Sequence, residues 1–362
     1  MSLPLKNKNE NARGVPGMVR AFRGEKMDTV PFWFMRQAGR YLPEYHKVRK
    51  NFDFMALCRD VESSVRVSLQ PFERFGMDGI IMFNDILTPL AGAGVRLRFE
   101  EKRGPVIEDM ISESEDLKLL SDFNAERDTD FVAKIMRSLR ENIDALPEGT
   151  NRPALLGFAG APFTVASYLL EGGSTKSFAR TKACLYSGGR VYEKLAERLT
   201  EITIEYLKMQ IDAGADAVQI FDSWGGILSP RDYREFARPY SERLLRELRA
   251  MTDAPVILFV GNSAHLLEDM VAQKPSVISL DWRVDPAVAC EKIPSEIALQ
   301  GNMDPLILYG EPERVRSEVQ RTLEAFAGRS GYVFNLGHGI LPESPLENVE
   351  IMCETVQAFR RQ

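Results

Sequence analysis

The loop MRQAGRYLPEY brings together the side chains best suited to chemistry in this 362-residue sequence. Arg36 and Arg40 lie on either side of Gln37, and Pro43 fits the first turn of a following helix. Two guanidinium groups at this spacing suit a ligand with several carboxylates or phosphates, because arginine stays charged and donates in a planar fork. The alternative is a pair of structural salt bridges to neighbouring carboxylates.

A carboxylate follows the next apolar run. Asp85 ends the stretch GIIMFND, so it is expected at the mouth of any cavity formed by the ends of buried strands. There it could accept hydrogen bonds or stabilise a bound cation. It could equally neutralise Arg36 or Arg40, and the charge alone does not separate these hypotheses.

Three further polar residues are candidates for the site, although none belongs to a recognisable catalytic motif. Tyr168 is expected on a helix after a glycine-rich strand, where its hydroxyl would face ligand or solvent. Ser223 lacks the GxSxG pattern of a serine hydrolase. His338, between two glycines in NLGHGILPE, is a candidate ligand contact or acid/base group, with a structural role as the alternative.

The sequence patterns do not indicate a metal, a nucleotide or a disulfide framework. The three histidines are far apart, and the four cysteines form no CxxC or Cys/His cluster. The segment GFAGAPFTVASYLLEGG matches neither common phosphate-loop pattern. We therefore expect no metal and no cofactor.

Eight short apolar runs, separated by longer amphipathic stretches, would position these residues. This rhythm favours an α/β fold, a single (β/α)8 TIM-type barrel, over an open doubly wound sheet. The connection between the second and third runs is long and contains an alternating segment, 95–108, typical of a surface hairpin that decorates the barrel. The runs are Val30–Met35, Gly79–Phe83, Ala154–Phe158, Ala217–Phe221, Pro255–Val260, Ser276–Leu280, Ile297–Gln300 and Tyr332–Leu336.

Composition and charge limit the class of protein. Without a linker or internal repeat, residues 1–362 are expected to form one barrel domain with a mobile polar N-terminal tail. The net charge of −6 argues against nucleic acid or an anionic membrane as partner. The polar N-terminus lacks the apolar core of a signal peptide, and the cysteine usage suits a reducing compartment, so we expect a cytoplasmic protein.

Taken together, the motifs PFWFMRQAGRYLPEY, IIMFNDIL, GFAGAPFTVASYLLEGG, QIFDSWGG and NLGHGILPE resemble the uroporphyrinogen decarboxylase family of haem biosynthesis. The resemblance runs from about Pro31 to Pro342. It implies a homodimeric barrel that removes the four acetate carboxyls of uroporphyrinogen, without a cofactor, to give coproporphyrinogen. By motif, it also implies substrate contacts at Arg36, Arg40, Asp85, Tyr168, Ser223 and His338, with Gln37 in the arginine loop.

The implied chemistry fits these residue types. Arginines would receive the carboxylate arms of the tetrapyrrole, and aromatic residues such as Phe158 and Phe221 could cover its apolar faces. Protonating a pyrrole carbon turns the ring into an electron sink, and Asp85 would stabilise the resulting cation. The proton donor is an arginine, Arg36 or Arg40, by analogy, or a water held by the charged cluster, because an ordinary guanidinium is a poor acid.

Two other functions compete with this interpretation. The related corrinoid methyltransferases share the barrel, but they use a zinc-binding His/Cys constellation, and this chain has no HxC motif. A non-catalytic tetrapyrrole-binding protein would keep the cavity without turnover. The presence of both arginines and Asp85 favours the decarboxylase.

Overall fold

A computed structural model describes residues 14–100, 103–188 and 190–361. The predicted N-terminal tail lies largely outside these residues. Within them, the main sheet has seven parallel strands, and their order in space follows the chain. The strands are β1 (Gly79–Ile81), β4 (Ala154–Gly160), β5 (Ala217–Asp222), β6 (Val256–Val260), β7 (Val277–Ser279), β8 (Ala298–Met303) and β9 (Tyr332–Leu336).

Burial explains why these segments are strands. Nearly every residue in them is inaccessible to solvent, as expected where helices cover one face of a parallel sheet and side chains fill the other. All seven coincide with predicted runs. The chain is therefore an α/β protein with a curled parallel sheet.

The first predicted run, Val30–Met35, is not a regular strand, which corrects the sequence prediction. It forms one isolated parallel bridge, between Phe32 and Phe334. Pro31 has no N–H to donate to a ladder, and the N–H of Phe32 is bonded to a side-chain oxygen of Asp78 at 2.9 Å. The N–H of Asp78 in turn donates to the carbonyl of Phe32 at 2.9 Å. This segment therefore contacts β9 on one side and the residue before β1 on the other.

A buried polar network crosses the interior of the curled sheet. The indole N–H of Trp33 donates to Oε1 of Gln300 at 2.8 Å. The Nε2 of Gln300 donates to Gln219 and to Ser279, both at 3.0 Å. Since all four side chains are buried, these bonds satisfy polar groups that would otherwise be costly to enclose. They also connect the first segment to β8, β7 and β5.

The helices of the described chain lie mainly between successive strands. Several begin with proline in the first turn, such as Pro162 and Pro230, where the missing N–H costs nothing. No helix among the described residues is both long and apolar enough to cross a membrane. The first eight helices are α1 (Gly17–Phe22), α2 (Pro43–Arg49), α3 (Phe54–Arg59), α4 (Val61–Phe75), α5 (Thr88–Gly92), α6 (Ala125–Asp128), α7 (Asp130–Asp144) and α8 (Pro162–Glu171).

The second half of the chain supplies the remaining helices. They are α9 (Ala179–Tyr186), α10 (Arg190–Asp212), α11 (Pro230–Phe236), α12 (Arg238–Met251), α13 (Leu267–Ala272), α14 (Pro286–Lys292), α15 (Pro312–Ala325) and α16 (Leu346–Ala358). Short 3-10 helices occupy Ser114–Leu120, Gly225–Ile227 and Pro305–Tyr309.

An antiparallel hairpin interrupts the connection between β1 and β4. Its strands are β2 (Leu97–Glu100) and β3 (Gly104–Ile107), with Glu100 opposite Gly104. The hairpin is attached to the end of α8, because Val106 bridges Gly173 and the N–H of Ile107 donates to Gly172. A Cβ at position 173 would lie 2.5 Å from the carbonyl oxygen of Pro105, so only glycine permits this approach.

Candidate active site

A cavity of about 580 Å³ opens at the carboxyl ends of the strands. Side chains that follow several separate strands converge there, as they do in enzymes built on curled parallel sheets. Eight of the nine residues predicted to form the site line this cavity. They are Arg36, Arg40, Asp85, Phe158, Tyr168, Phe221, Ser223 and His338.

The two arginines project from the turn after the first segment. Arg36 has a left-handed backbone, with φ of 64°, which is uncommon for a residue with a side chain. Its aliphatic stem lies against Gly339, where a Cβ would come within 2.6 Å of Cδ of Arg36. Among the described residues, neither Arg36 nor Arg40 has a carboxylate within salt-bridge distance. Both guanidinium groups are therefore available to an anionic ligand.

Gln37 is the predicted site residue that does not line the cavity. Its side chain is fully buried. The Oε1 of Gln37 accepts a hydrogen bond from Phe34 N at 3.2 Å, and its Nε2 donates to the carbonyl of Gly79 at 2.8 Å. These bonds fix the arginine turn to the start of β1, so the structure gives Gln37 a positioning contact.

Asp85 is held in the turn between β1 and α5. Its Oδ1 accepts the N–H of Leu87 at 2.9 Å, and its own N–H donates to Oδ1 of Asn84 at 2.9 Å. Burial raises the pKa of Asp85, while the Leu87 hydrogen bond and the charge of Arg36 oppose that rise. The carboxylate lies at the cavity wall without an ion-pair partner among the described residues, which does not support simple neutralisation of an arginine at close range.

Tyr168 reaches the cavity from α8. Its ring stacks on the indole of Trp224, with centroids 4.0 Å apart and an angle of 28° between the planes. Burial, followed by the nearby charge of Asp85, raises the pKa of Tyr168 to about 12. The phenol therefore stays protonated at neutral pH and can donate a hydrogen bond. Ser223 precedes Trp224 in the chain and lines the same wall.

Aromatic rings form an apolar side of the cavity. Phe158, Phe221 and Phe259 come from the neighbouring strands β4, β5 and β6. Phe221 packs edge-on against Phe158 at 5.8 Å and against Phe259 at 6.0 Å between centroids. These contacts leave a continuous apolar surface on which a flat or cupped ring system can rest.

His338 adjoins this aromatic row and is neutral at physiological pH. Its ring lies edge-on to Phe259, with centroids 5.9 Å apart. Burial, and then the positive charge of Arg36, lowers the pKa of His338 to about 4. The imidazole is therefore suited to hydrogen bonding rather than to carrying a charge at pH 7.

Sequence reasoning missed part of the cavity wall. Tyr45 and Arg49, four residues apart on one face of α2, both contribute, as do Phe99 and Arg103 of the hairpin. Phe99 packs on Phe54 with centroids 4.5 Å apart, and this contact places the hairpin beside the cavity. The i, i+4 spacing of Tyr45 and Arg49 was a usable signal. The position of the hairpin depends on its distant contact with α8.

The cavity thus combines cationic, acidic and apolar surfaces. Unpaired guanidinium groups suit carboxylate arms, the aromatic row suits a ring system, and Asp85 can accept N–H groups or stabilise a developing positive charge. Among the described residues, no group of three or more His, Cys, Asp or Glu side chains is arranged to hold a metal ion.

Known proteins resemble this chain over nearly its whole length. Residues 16–359 match the family model described as uroporphyrinogen decarboxylase (URO-D). The chain is 44% identical to a uroporphyrinogen decarboxylase from Pelobacter propionicus, over 93% of this chain and 97% of the relative. It is 42% identical to another from Geobacter metallireducens, over 92% and 95%, respectively. Among solved structures, a methyltransferase from Methanosarcina mazei has a TM-score of 0.75 at 20% identity, covering 94% of this chain and 96% of that one. At that identity the likeness concerns the fold alone.

Proposed function

The chain belongs to the uroporphyrinogen decarboxylase family, and from this membership we propose that it converts the four acetate side chains of uroporphyrinogen to methyl groups. The product is coproporphyrinogen, an intermediate of tetrapyrrole biosynthesis, and the enzyme is a carboxy-lyase. We propose that the reaction needs no metal or organic cofactor, because the substrate itself supplies the electron sink.

One observation carries this proposal more than any other. Arg36 and Arg40 lie at one cavity without carboxylate partners among the described residues, and Asp85 lies at the same cavity. Two guanidinium groups that form no ion pair with a described residue favour a polyanionic ligand, since each is stabilised when it binds a carboxylate. The nearby acid would repel such a ligand unless it faced a part that donates hydrogen bonds or carries positive charge. Uroporphyrinogen has both features, with carboxylates at its edge and pyrrole N–H groups at its centre.

The remaining lining residues match the other parts of this substrate. Phe158 and Phe221 would contact the apolar faces of the macrocycle. Tyr168, Ser223 and His338 would donate or accept hydrogen bonds at its polar groups. Gln37 would act indirectly, by holding the arginine turn against β1. Arg49 is a further candidate to receive carboxylates, whereas Arg103 lies 3.6 Å from the carboxylate of Glu100, which lines the same cavity.

Each decarboxylation would exchange one carboxylate for one proton. Protonation of the pyrrole carbon next to the acetate arm creates a cationic ring. The C–CO2 bond then breaks, its electron pair enters the ring, and CO2 leaves. A proton added to the exocyclic carbon gives the methyl group, and loss of the ring proton restores the pyrrole. Asp85 would stabilise the cationic intermediate electrostatically.

The first proton has two candidate sources, a guanidinium of Arg36 or Arg40 and a water bound in the charged cluster. The pKa of an ordinary guanidinium is above about 12, so direct transfer would require its neutral form to be stabilised in the site. The second source needs only that the cluster orient a water towards the pyrrole carbon.

The proposal extends to architecture and assembly. We propose one (β/α)8 barrel domain, in which residues 30–35 take the eighth strand position and the hairpin of β2 and β3 decorates the barrel. The bridge from Phe32 to Phe334 and the bond from Trp33 to Gln300 support this closure. We also propose a cytoplasmic homodimer. Sedimentation that found only fully active monomer would contradict a required dimer.

The direct test of the proposed function is turnover of chemically reduced uroporphyrinogen. Products separated by carboxyl number should appear in order as seven-, six-, five- and four-carboxyl species. Tight binding without any product would instead indicate a tetrapyrrole-binding protein.

A further inference from the structure

Asp222 is a buried acid to which the proposed reaction gives no role. It is the last residue of β5, directly before Ser223, and its side chain is 1% exposed. Within the described residues, no Lys, Arg or His lies within salt-bridge distance of it. Its Oδ2 has no hydrogen-bond partner there. A carboxyl kept in such a place without a cation is costly, so its environment needs an explanation.

A short chain of hydrogen bonds links this acid to the cavity wall. The hydroxyl of Thr164, on α8, donates to Oδ1 of Asp222 at 2.7 Å. The same Thr164 oxygen accepts the backbone N–H of Trp224 at 3.1 Å. The hydroxyl donates its single proton in the hydrogen bond to Asp222, so its oxygen lone pairs remain available to accept the N–H of Trp224.

Trp224 connects this chain to a substrate-facing residue. Its indole stacks on Tyr168 and meets Phe178 edge-on, with centroids 5.0 Å apart. The space around the acid is closed, since a Cβ at Gly225 would lie 2.5 Å from Oδ2 of Asp222. The backbone at Trp224 is thus confined by Thr164 on one side and by a glycine turn on the other.

We propose that Asp222 is a positioning residue of the substrate site, acting through Thr164 and Trp224 to hold the ring of Tyr168 at the cavity wall. The effect on substrate rests on the proposed function, whereas the effect on the aromatic pair does not. Asp222 touches neither the cavity nor the reacting atoms, so it is distinct from the catalytic candidates.

The surroundings of Asp222 suggest that this contact responds to pH. Burial raises the pKa of Asp222 to about 7, against the hydrogen bond from Thr164 and the influence of the nearby backbone N–H of Gly225. Among the described residues, the titratable groups that interact electrostatically with Asp222 are the phenols of Tyr192 on α10 and Tyr233 on α11. Burial raises the pKa of both phenols, so they stay neutral while Asp222 titrates. A change near neutral pH at the aromatic pair would therefore report on Asp222.

The first test needs no substrate. The near-ultraviolet circular dichroism of the wild-type chain, recorded from pH 5.5 to 8.5, should show a transition near pH 7 arising from the pair of Trp224 and Tyr168. Trp224→Phe assigns the signal, because it leaves only Trp33 and Trp282. The transition should disappear in Asp222→Asn. A transition that persists in Asp222→Asn, or a wild-type chain without one, would overturn the proposal.

The second test separates positioning from general destabilisation. Thr164→Val removes the linking hydroxyl at nearly constant volume, and Thr164→Ser should restore it. Loss of the link should lower kcat/KM up to about tenfold, the effect of one buried hydrogen bond. Thr200→Val is the matched control, since Thr200 is equally buried and, among the described residues, its hydroxyl bonds only to Ala196 within α10. Equal losses of kcat/KM in Thr164→Val and Thr200→Val would contradict the proposal.

The two tests also distinguish this inference from the proposed function. If the chain does not decarboxylate uroporphyrinogen, the dichroism transition should still be present and sensitive to Asp222. If the chain does decarboxylate it but the transition is absent, only the positioning role fails.

Discussion

The backbone N–H of Gly339 donates a hydrogen bond to Nδ1 of His338 at 2.8 Å. With Nδ1 acting as acceptor, the neutral imidazole carries its proton on Nε2. The ring can then donate one hydrogen bond from Nε2, and a carboxylate or carbonyl of the substrate is a suitable acceptor. The same turn places Gly339 against the stem of Arg36, so one glycine influences two side chains of the cavity.

We expect His338 to remain neutral above pH 5, because burial and the charge of Arg36 lower its pKa to about 4. The chain has three histidines, so NMR titration of their ring protons can be assigned with His338→Asn as the reference. The ring of His338 should titrate with a midpoint near pH 4. A midpoint for His338 near 6.5 would contradict the described environment.

The left-handed backbone at Arg36 predicts a cost in stability at a functional residue. Glycine adopts φ of 64° without the steric penalty of a Cβ. Arg36→Gly should therefore be more stable than Arg36→Ala by about 1 kcal/mol in urea unfolding, although both lose the guanidinium. At Arg40, whose φ is not positive, the alanine variant should instead be more stable than the glycine variant. The same order at both positions would show that backbone strain at Arg36 is not the cause.

Gly339→Ala should disturb substrate binding more than folding. The added Cβ would lie 2.6 Å from Cδ of Arg36, and that side chain is flexible enough to move away. Displacement of the guanidinium should raise KM by roughly tenfold, as expected for a weakened charged hydrogen bond. Gly328→Ala is the control, because a Cβ there meets no atom within 4 Å. An unchanged KM would mean that Arg36 does not depend on this contact.

Only some residues of the cavity could be predicted from the sequence. Polar residues after the apolar runs, such as Asp85 and His338, could be predicted to line the cavity because parallel strands place their carboxyl ends at one edge. Phe99 and Arg103 were missed because their position depends on the pairing of Val106 with Gly173, far away in the chain. Gln37 was expected at the substrate, but its amide is used by backbone groups, and sequence spacing does not reveal such partners.

The fold, too, depends partly on local sequence patterns and partly on contacts between residues far apart in the chain. Of the eight apolar runs predicted to be strands, seven form strands, since burial on both faces leaves a clear sequence pattern. Val30–Met35 has that pattern too, yet Pro31 lacks a donor and Asp78 takes the N–H of Phe32. The pairing of a strand thus depends on hydrogen-bond partners that hydrophobicity does not show.

Asp222 should make stability depend on pH in a particular direction. Its pKa in the folded chain is about 7, above the ordinary 3.8, so the folded state holds this proton more tightly than the unfolded state. The loss of folding stability caused by ionising the buried Asp222 carboxyl is absent below about pH 4, grows between pH 4 and 7, and is complete above pH 7. The free energy of unfolding of Asp222→Asn, relative to wild type, should therefore rise over that interval.

Urea unfolding at several pH values measures this difference directly. Asp304→Asn is the control, because Asp304 lies in a less buried turn and caps Leu306 N at 2.9 Å. A difference for Asp222→Asn that stays constant from pH 4 to 7 would show that the Asp222 carboxyl titrates normally.

The most direct test of the central claim is the rate of the first decarboxylation of bound uroporphyrinogen in Asp85→Asn. Asparagine keeps the size of the side chain but removes the charge proposed to stabilise the protonated pyrrole. Loss of such an electrostatic contact costs about 2.7 to 4 kcal/mol, so the rate should fall at least about a hundredfold. Asp304→Asn, outside the cavity lining, should retain the wild-type rate. A folded Asp85→Asn chain that releases CO2 as fast as Asp304→Asn would contradict the proposed role of Asp85.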